Sequence, residues 1–212
     1  MYEHEAAWRG QDALAKRAGF AIAICGAGAI GSNLADTLAR QGFARLRVID
    51  FDRVERHNVP TQIYGTGDVG TLKVKALQNR LFRDLGVRIE ASNEKIDART
   101  VKALAGSALV VDAFDNAAAR RVVAEYCARE AIPCVHAGLS GDGFAEVRWN
   151  EHYKVPAEET RQLDPCEVPL ARNLVTLAVA VLAEVIARFA DRGERMAREV
   201  TLEDLRAYDP AG

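Results

Sequence analysis

The stretch that decides the fold is Gly26–Gln62, GAGAIGSNLADTLARQGFARLRVIDFDRVERHNVPTQ, which follows the apolar run AIAIC at Ala21–Cys25. Gly26, Gly28 and Gly31 have the spacing of a strand-to-helix turn that holds a nucleotide. The first glycine makes the tight turn, the second lets the backbone approach a phosphate, and the third lets the following helix pack on the strand. That helix is predicted from about Ile30 to Arg40, with its N-terminal N–H groups aimed at anionic oxygens. The next apolar run, Leu46–Ile49, ends in Asp50, nineteen residues past Gly31. A carboxylate there can accept hydrogen bonds from both ribose hydroxyls.

Outward from this core, the pattern repeats. Lys73–Leu85 reads as an amphipathic helix, Val87–Ala91 as a strand, Thr100–Ala105 as a short helix and Ala108–Ala113 as a buried strand. Ala117–Glu130 reads as a helix and Pro133–Ala137 as a strand. Successive βα units predict an α/β fold: a doubly wound, mostly parallel, Rossmann-like sheet covered on both faces, with ligands beyond the carboxyl ends of its strands. Asp50, Asp112 and Asp115 fall at or just after such ends. Gly143–Trp149 alternates and is expected as an edge strand, and 150–165 as a long polar loop. Arg172–Phe189 is predicted to be an apolar helix that packs on the sheet or on another subunit, and the tail to hold one short helix. The expected organisation is a nucleotide-binding domain over 1–150 and a loop with a helical extension over 151–212, packed on the same domain.

Composition narrows the class. The apolar share of 49% and charged share of 27% are those of an ordinary globular protein, and a net charge of −2 supplies no field to recruit nucleic acid or an anionic membrane. The N-terminal MYEHEAAWRGQDALAKR lacks a secretory hydrophobic region, and Leu174–Ala187, broken by Glu184, reads as too short to span a bilayer. The expected compartment is the cytoplasm, with no membrane and no nucleic-acid partner. The four cysteines, Cys25, Cys127, Cys134 and Cys166, form no C-x-x-C pair, so no structural zinc is expected. Cys25 and Cys134 fall in apolar runs and read as core thiols, and Cys127 falls in a helix. Cys166 falls in a polar, proline-flanked loop. His136 follows a buried strand and reads more simply as a hydrogen-bonded structural residue than as a base.

The chain resembles the ThiF/MoeB adenylyltransferases, bacterial relatives of ubiquitin-activating enzymes, from about Gly10 to Trp149. The resemblance rests on an ordered set: GQDAL at Gly10–Leu14, the GAGAIG turn, DFD at Asp50–Asp52, Asn58 with Gln62, GTLKVKAL around Lys73, and DAFDN at Asp112–Asn116. Beyond Asp115 the spacing and the CEVPLARNL segment are most similar to short-form ThiF-like proteins. The resemblance implies that ATP and Mg²⁺ are used to adenylate a carboxylate, generally the C-terminal glycine of a ubiquitin-fold protein ending in Gly-Gly, by a homodimer. It implies that Gly26, Gly28, Gly31, Asp50, Asp52, Asn58, Gln62, Lys73 and Asn116 bind the nucleotide. Lys73 would supply a point charge to phosphate oxygens, Asp115 would hold the metal, and Cys166 would serve in thioester or persulfide transfer.

Each of these residues has a plainer reading. Lys73 starts a polar helix and suits a solvated lysine. Asp115 suits a cap for the helix near Ala117, Asp50 a loop cap, and Asn58 a turn. Cys166 suits an ordinary loop thiol, with Asp164 and Glu167 opposing its ionisation. One position departs from the family pattern: relatives usually carry arginine before the glutamine matching Gln62, where this chain has Thr61. Arg53, Arg56 or a residue of a second subunit are the candidate substitutes; the N-terminal arginine that relatives lend across a dimer has no secure match either, with Arg9 nearby. Without one, a non-catalytic ATP-binding subunit becomes the alternative reading. An NAD-dependent oxidoreductase fits the glycine turn and Asp50 alone.

Overall fold

A computed structural model of the chain describes residues 1–156 and 170–205 and the backbone of 207–208. Two short helices, α1 (Glu3–Arg9) and α2 (Gln11–Gly19), lead into β1 (Ile22–Cys25) and α3 (Ala29–Arg40). Then come β2 (Leu46–Ile49), α4 (Lys73–Leu85), β3 (Glu90–Ser92), β4 (Leu109–Asp112) and α5 (Ala117–Arg129). β5 (Cys134–Leu139), β6 (Phe144–Trp149), α6 (Arg172–Arg192), β7 (Arg198–Thr201) and β8 (Ala207–Tyr208) complete the order. They build one eight-stranded sheet in the order β3-β2-β1-β4-β5-β6-β7-β8. The pairings from β3 through β5 are parallel and those from β5 through β8 antiparallel.

The sequence explains the two halves. β1 (IAIC) and β4 (LVVD) are buried at every residue, as central parallel strands covered on both faces must be. β6 alternates half-buried and buried residues, which suits an antiparallel strand with one inward face. Because successive strands are added on either side of β1, the chain reverses direction between β1 and β4. This switch opens a crevice at the carboxyl ends of β1, β2 and β4. One face of the sheet carries α3, α4 and α6, where Leu34, Leu38, Leu77 and Leu81 meet Val179, Leu182 and Ile186. On the other face, Val123, Tyr126 and Cys127 of α5 pack with Leu104 and Val110.

Three expectations are corrected. β6 is internal, paired with β5 on one side and β7 on the other. The tail forms β7 and β8 rather than a helix. Gly193, left-handed at φ 71, ends α6, and Val200 then enters a small cluster with Ala145, Leu174 and Ala178. Completing the open edge of β6 decided the outcome over local helix propensity. Finally, α6 is not short: with 21 residues and an 18-residue window of mean hydropathy 1.8 it would suffice to cross a membrane by length and composition alone, yet half of that window is buried in this fold. The shifts elsewhere are small, with β3 starting at Glu90 and the 100–105 segment forming a 3₁₀ turn over Val101–Leu104.

α2 is clamped to the end of α6 by Arg17, which is 0% exposed. Its guanidinium donates to Asp191 Oδ1 and Oδ2 at 2.9 and 2.7 Å, to Glu5 Oε2 at 2.9 Å and to the Gln41 carbonyl at 3.2 Å.

Candidate nucleotide site

The glycine turn leaves β1 at Gly26, whose φ of 97 lies in the left-handed region and whose N–H donates to the Ile49 carbonyl at 2.9 Å. A Cβ at Gly26 would sit 2.9 Å from the Ala113 carbonyl oxygen, and one at Gly31 only 1.9 Å from the Gly26 carbonyl oxygen. Both glycines are therefore required by the protein's own packing. Gly28 differs, because a Cβ there meets nothing within 4 Å. The space it leaves open faces no protein atom, which suits the approach of a ligand to its backbone.

Asp50, at the end of β2, is 6% exposed and braces this turn. Its Oδ2 accepts the Ala27 N–H at 2.6 Å and its Oδ1 the Asp52 N–H at 2.7 Å. Burial raises its pKa, opposed by the charge of Lys73 and by these two N–H groups. Each carboxylate oxygen keeps a lone pair for a further donor. The plain reading of Asp50 as a loop cap therefore holds for the Asp52 N–H, but the Ala27 bond adds a tie to the phosphate-type turn.

Lys73 departs from the solvated reading: it is 8% exposed. Its Nζ lies 3.0 Å from Asp52 Oδ2, and its N–H donates to the Asp52 carbonyl at 2.9 Å. Asp52 itself is half exposed, so the pair lies at the rim with the ammonium inward. Asn58 is buried and orders the loop between them. Its Oδ1 accepts the Glu55 N–H at 2.8 Å in a reciprocal capping box, and its carbonyl accepts the N–H groups of Thr61 and Gln62. The Oε1 of Gln62 is buried without a hydrogen-bond partner. A buried acceptor left unpaired is unfavourable, and a ligand donor would relieve it.

Asp115 and Asn116 lie on the exposed loop between β4 and α5. Asn116, rather than Asp115, caps α5, accepting the Ala119 N–H at 2.8 Å. Asp115 is thus not occupied as the cap. The loop abuts the glycine turn, since the Ala113 carbonyl and the Phe114 ring crowd Gly26. It is held from behind by Arg120, a residue the sequence reading did not select. Arg120 donates to the carbonyls of Phe114 and Ala137, each at 2.7 Å, and to the Tyr153 hydroxyl at 2.7 Å. Asp112 Oδ1 accepts the Phe114 N–H at 3.1 Å, while its Oδ2 faces His136 Nδ1 at 2.7 Å. The other ring nitrogen of His136 faces Asn150 Oδ1 at 2.8 Å, and Tyr153 stacks on the ring at 3.9 Å. His136 is therefore structural, as its strand position suggested.

Tyr64 was also missed. Its hydroxyl donates to the Ala27 carbonyl at 2.9 Å, and burial pushes its phenol pKa far up. The signal available in sequence was an aromatic residue two positions beyond Gln62, which has no meaning without the tertiary contact. Arg53, a candidate substitute for an arginine at Thr61, donates to the Gly70 carbonyl at 2.7 Å, and Arg9, near the expected N-terminal arginine, is committed to Glu5 and Glu184. Cys25, Cys127 and Cys134 are buried and free, and burial raises the Cys25 thiol well above its ordinary value. Cys166 lies outside the described residues, and no cluster of His, Cys, Asp or Glu suited to a metal occurs among the described ones.

The geometry gathers Gly28, Asp50, Lys73 and the Asp115 loop at the carboxyl ends of β1, β2 and β4. Known proteins resemble this chain in sequence and fold. Over 124 residues the chain is 35% identical to the SAMP-activating enzyme E1 of Haloferax volcanii, covering 56% of this chain and 45% of that one. It is 31% identical over 136 residues to the tRNA threonylcarbamoyladenosine dehydratase of Escherichia coli, covering 62% and 51%. The chain thus spans about half the length of the curated relatives it matches. Among solved structures, that E. coli dehydratase in complex with ATP superposes with a TM-score of 0.64 at 27% identity, over 68% of this chain and 63% of that one. The fold extends to E. coli MccB bound to MccA-N7isoASN, with a TM-score of 0.81 at 18% identity over 93% of this chain and 66% of that one. The ThiF family profile matches residues 3–192, and the chain belongs to that family.

Proposed function

We propose that this protein binds ATP at the glycine turn and adenylates a carboxylate, that of the C-terminus of a ubiquitin-fold protein ending in Gly-Gly. The observation that carries this reading is the inward Lys73 ammonium, held by Asp52 beside Asp50 and the open backbone at Gly28. The N-terminal end of α3 and the Gly28 backbone take the inner phosphates. The free lone pairs of Asp50 accept the ribose hydroxyls, and the unpaired Gln62 Oε1 is available to a ligand donor.

In the reaction, a carboxylate oxygen bonds to the α-phosphorus as the bond from that phosphorus to the bridging oxygen breaks. The electron pair leaves with pyrophosphate, and an acyl adenylate remains. Catalysis of such a displacement rests on positioning and on fixed charge where negative charge develops, and Lys73 supplies that charge with little reorganisation. The exposed Asp115 carboxylate fits Mg²⁺, which takes one or two carboxylates along with phosphate oxygens and water. When bound, that ion would offset phosphate charge. The named relative that activates SAMP supports a ubiquitin-fold substrate for this chain.

The test is exchange of labelled pyrophosphate into ATP in the presence of a ubiquitin-fold protein ending in Gly-Gly. Exchange that depends on the carboxyl terminus and is abolished by Lys73→Ala supports the reading. Thr61 favours a second one, a nucleotide-binding subunit without catalysis, which predicts ATP binding with no exchange for any carboxylate. A homodimer and a cytoplasmic setting remain part of the proposal, checked by sedimentation and by fractionation.

A further inference from the structure

Arg172 is the first residue of α6, the positive end of a long helix, where a cation is disfavoured. The first turn contains no acidic residue, and Ala171 provides no side-chain cap. The side chain is exposed and forms no ion pair with any described residue; its Nη1 donates to the Thr61 carbonyl at 2.7 Å. That same carbonyl accepts Asn33 Nδ2 at 3.0 Å. Asn33 belongs to the first turns of α3, and the chain beyond Thr61 is sewn to the same region. Ile63 N–H donates to Ser32 Oγ at 3.3 Å, and Tyr64 Oη to the Ala27 carbonyl at 2.9 Å.

Thr61 therefore pegs a guanidinium beside the start of the phosphate-facing helix. The start of α3 has Asp50 on the Ala27 N–H, but Arg172 and the first turn of α6 have no carboxylate partner among the described residues. A local rule broken without a compensating partner points to a ligand. Because the guanidinium spends one donor on a carbonyl, its orientation is fixed while the other N–H groups of the fork stay available, a geometry suited to phosphate oxygens.

We propose that Arg172 binds the outer phosphate oxygens of ATP, supplying from α6 the cation that Thr61 cannot. The inference rests on the adenylation reading above and adds a phosphate-binding residue to it. As the bridging oxygen takes the electron pair and pyrophosphate departs, Arg172 holds the charge that accumulates on the leaving group.

The experiment compares ATP and AMP binding by calorimetry, pyrophosphate exchange and thermal unfolding for the wild type, Arg172→Ala, Arg172→Gln and the Arg172→Ala, Thr61→Arg double variant. ATP affinity should fall by about tenfold or more in both single variants, the scale of a lost charge-assisted hydrogen bond. AMP affinity and the melting temperature should stay as in the wild type, and Thr61→Arg should restore ATP affinity. Equal losses for ATP and AMP, or no loss for either, overturn the proposal. If Lys73→Ala abolishes exchange while Arg172→Ala binds and exchanges normally, this inference falls and the adenylation reading stands. If no carboxylate supports exchange but ATP affinity depends on Arg172 as described, the adenylation reading falls and the phosphate contact stands. A wild type that binds no ATP overturns both.

Discussion

Lys73 is joined to Asp52 twice: its Nζ lies 3.0 Å from the carboxylate and its N–H is 2.9 Å from the carbonyl of the same residue. The backbone bond fixes where α4 begins, and the side-chain bond fixes where the ammonium points. Lys73→Ala keeps the first and deletes the second. Pyrophosphate exchange should fall by about 10²-fold or more, the scale of removing a preorganised charge from a site of this kind. Thermal unfolding should change little, since the Asp52 carboxylate is half exposed and can turn to water. Exchange within a few-fold of the wild type would remove Lys73 from the mechanism.

The glycines of the turn should separate folding from binding. Gly31→Ala drives a Cβ to 1.9 Å from the Gly26 carbonyl oxygen, so stability should drop by about 1–3 kcal/mol or more, as for other overpacked sites. Gly28→Ala meets nothing within 4 Å, although its φ of −81 and ψ of −149 lie outside the extended and helical regions, so it should cost less stability than Gly31→Ala while ATP binding is lost. Denaturant melts and calorimetry on the two variants check this pair. A Gly28→Ala protein that binds ATP normally would show that the phosphates lie elsewhere.

Asp50 gives a pH signature. Burial raises its folded pKa against the Lys73 charge and the N–H groups of Ala27 and Asp52. A raised acid contributes stability below the unfolded aspartate value of about 3.9 and loses that contribution as pH rises through the folded pKa. Ribose recognition has the opposite sense, because the ionised carboxylate is the better acceptor. Nucleotide affinity should therefore weaken on acidification at a pH above the ordinary aspartate range. In Asp50→Asn that limb should vanish. The titration of AMP itself is common to both proteins, so parallel affinity profiles would contradict the assignment.

Arg17 tests the clamp between α2 and α6. Its side chain is 0% exposed and pairs with Glu5 and with Asp191, the latter 10% exposed. Arg17→Ala leaves Asp191 without its guanidinium, and stability should drop by about 3–5 kcal/mol, the range for breaking a buried pair from one side. A double-mutant cycle with Asp191→Ala, followed by urea unfolding, should return a coupling of about 0.5–3 kcal/mol. Additive losses would mean that Arg17 acts through Glu5, the Gln41 carbonyl and packing rather than through Asp191.

The legible parts of the site were those set by neighbours in sequence. Gly26 and Gly31 could be assigned because a positive φ and a missing Cβ are local requirements, and Asp50 because an apolar strand ends where it stands. Lys73 was ambiguous: its helix is polar, and its burial depends on Asp52, a partner 21 residues earlier. Arg120 was invisible because its work is done on backbone carbonyls of Phe114 and Ala137, which carry no sequence signature.

By itself the sequence determined the alternation of strands and helices, the parallel half of the sheet and the place of the glycine turn, because periodicity and backbone sterics act over a few residues. The tertiary structure alone decided that the tail becomes β7 and β8, since an open edge on β6 outweighs the propensity of a charged segment. It also decided that Arg9 is committed to Glu184, 175 residues away, and that Arg172 reaches Thr61 across 111. Contacts at that separation are fixed by how α6 packs against α2 and α3, and no local pattern encodes them.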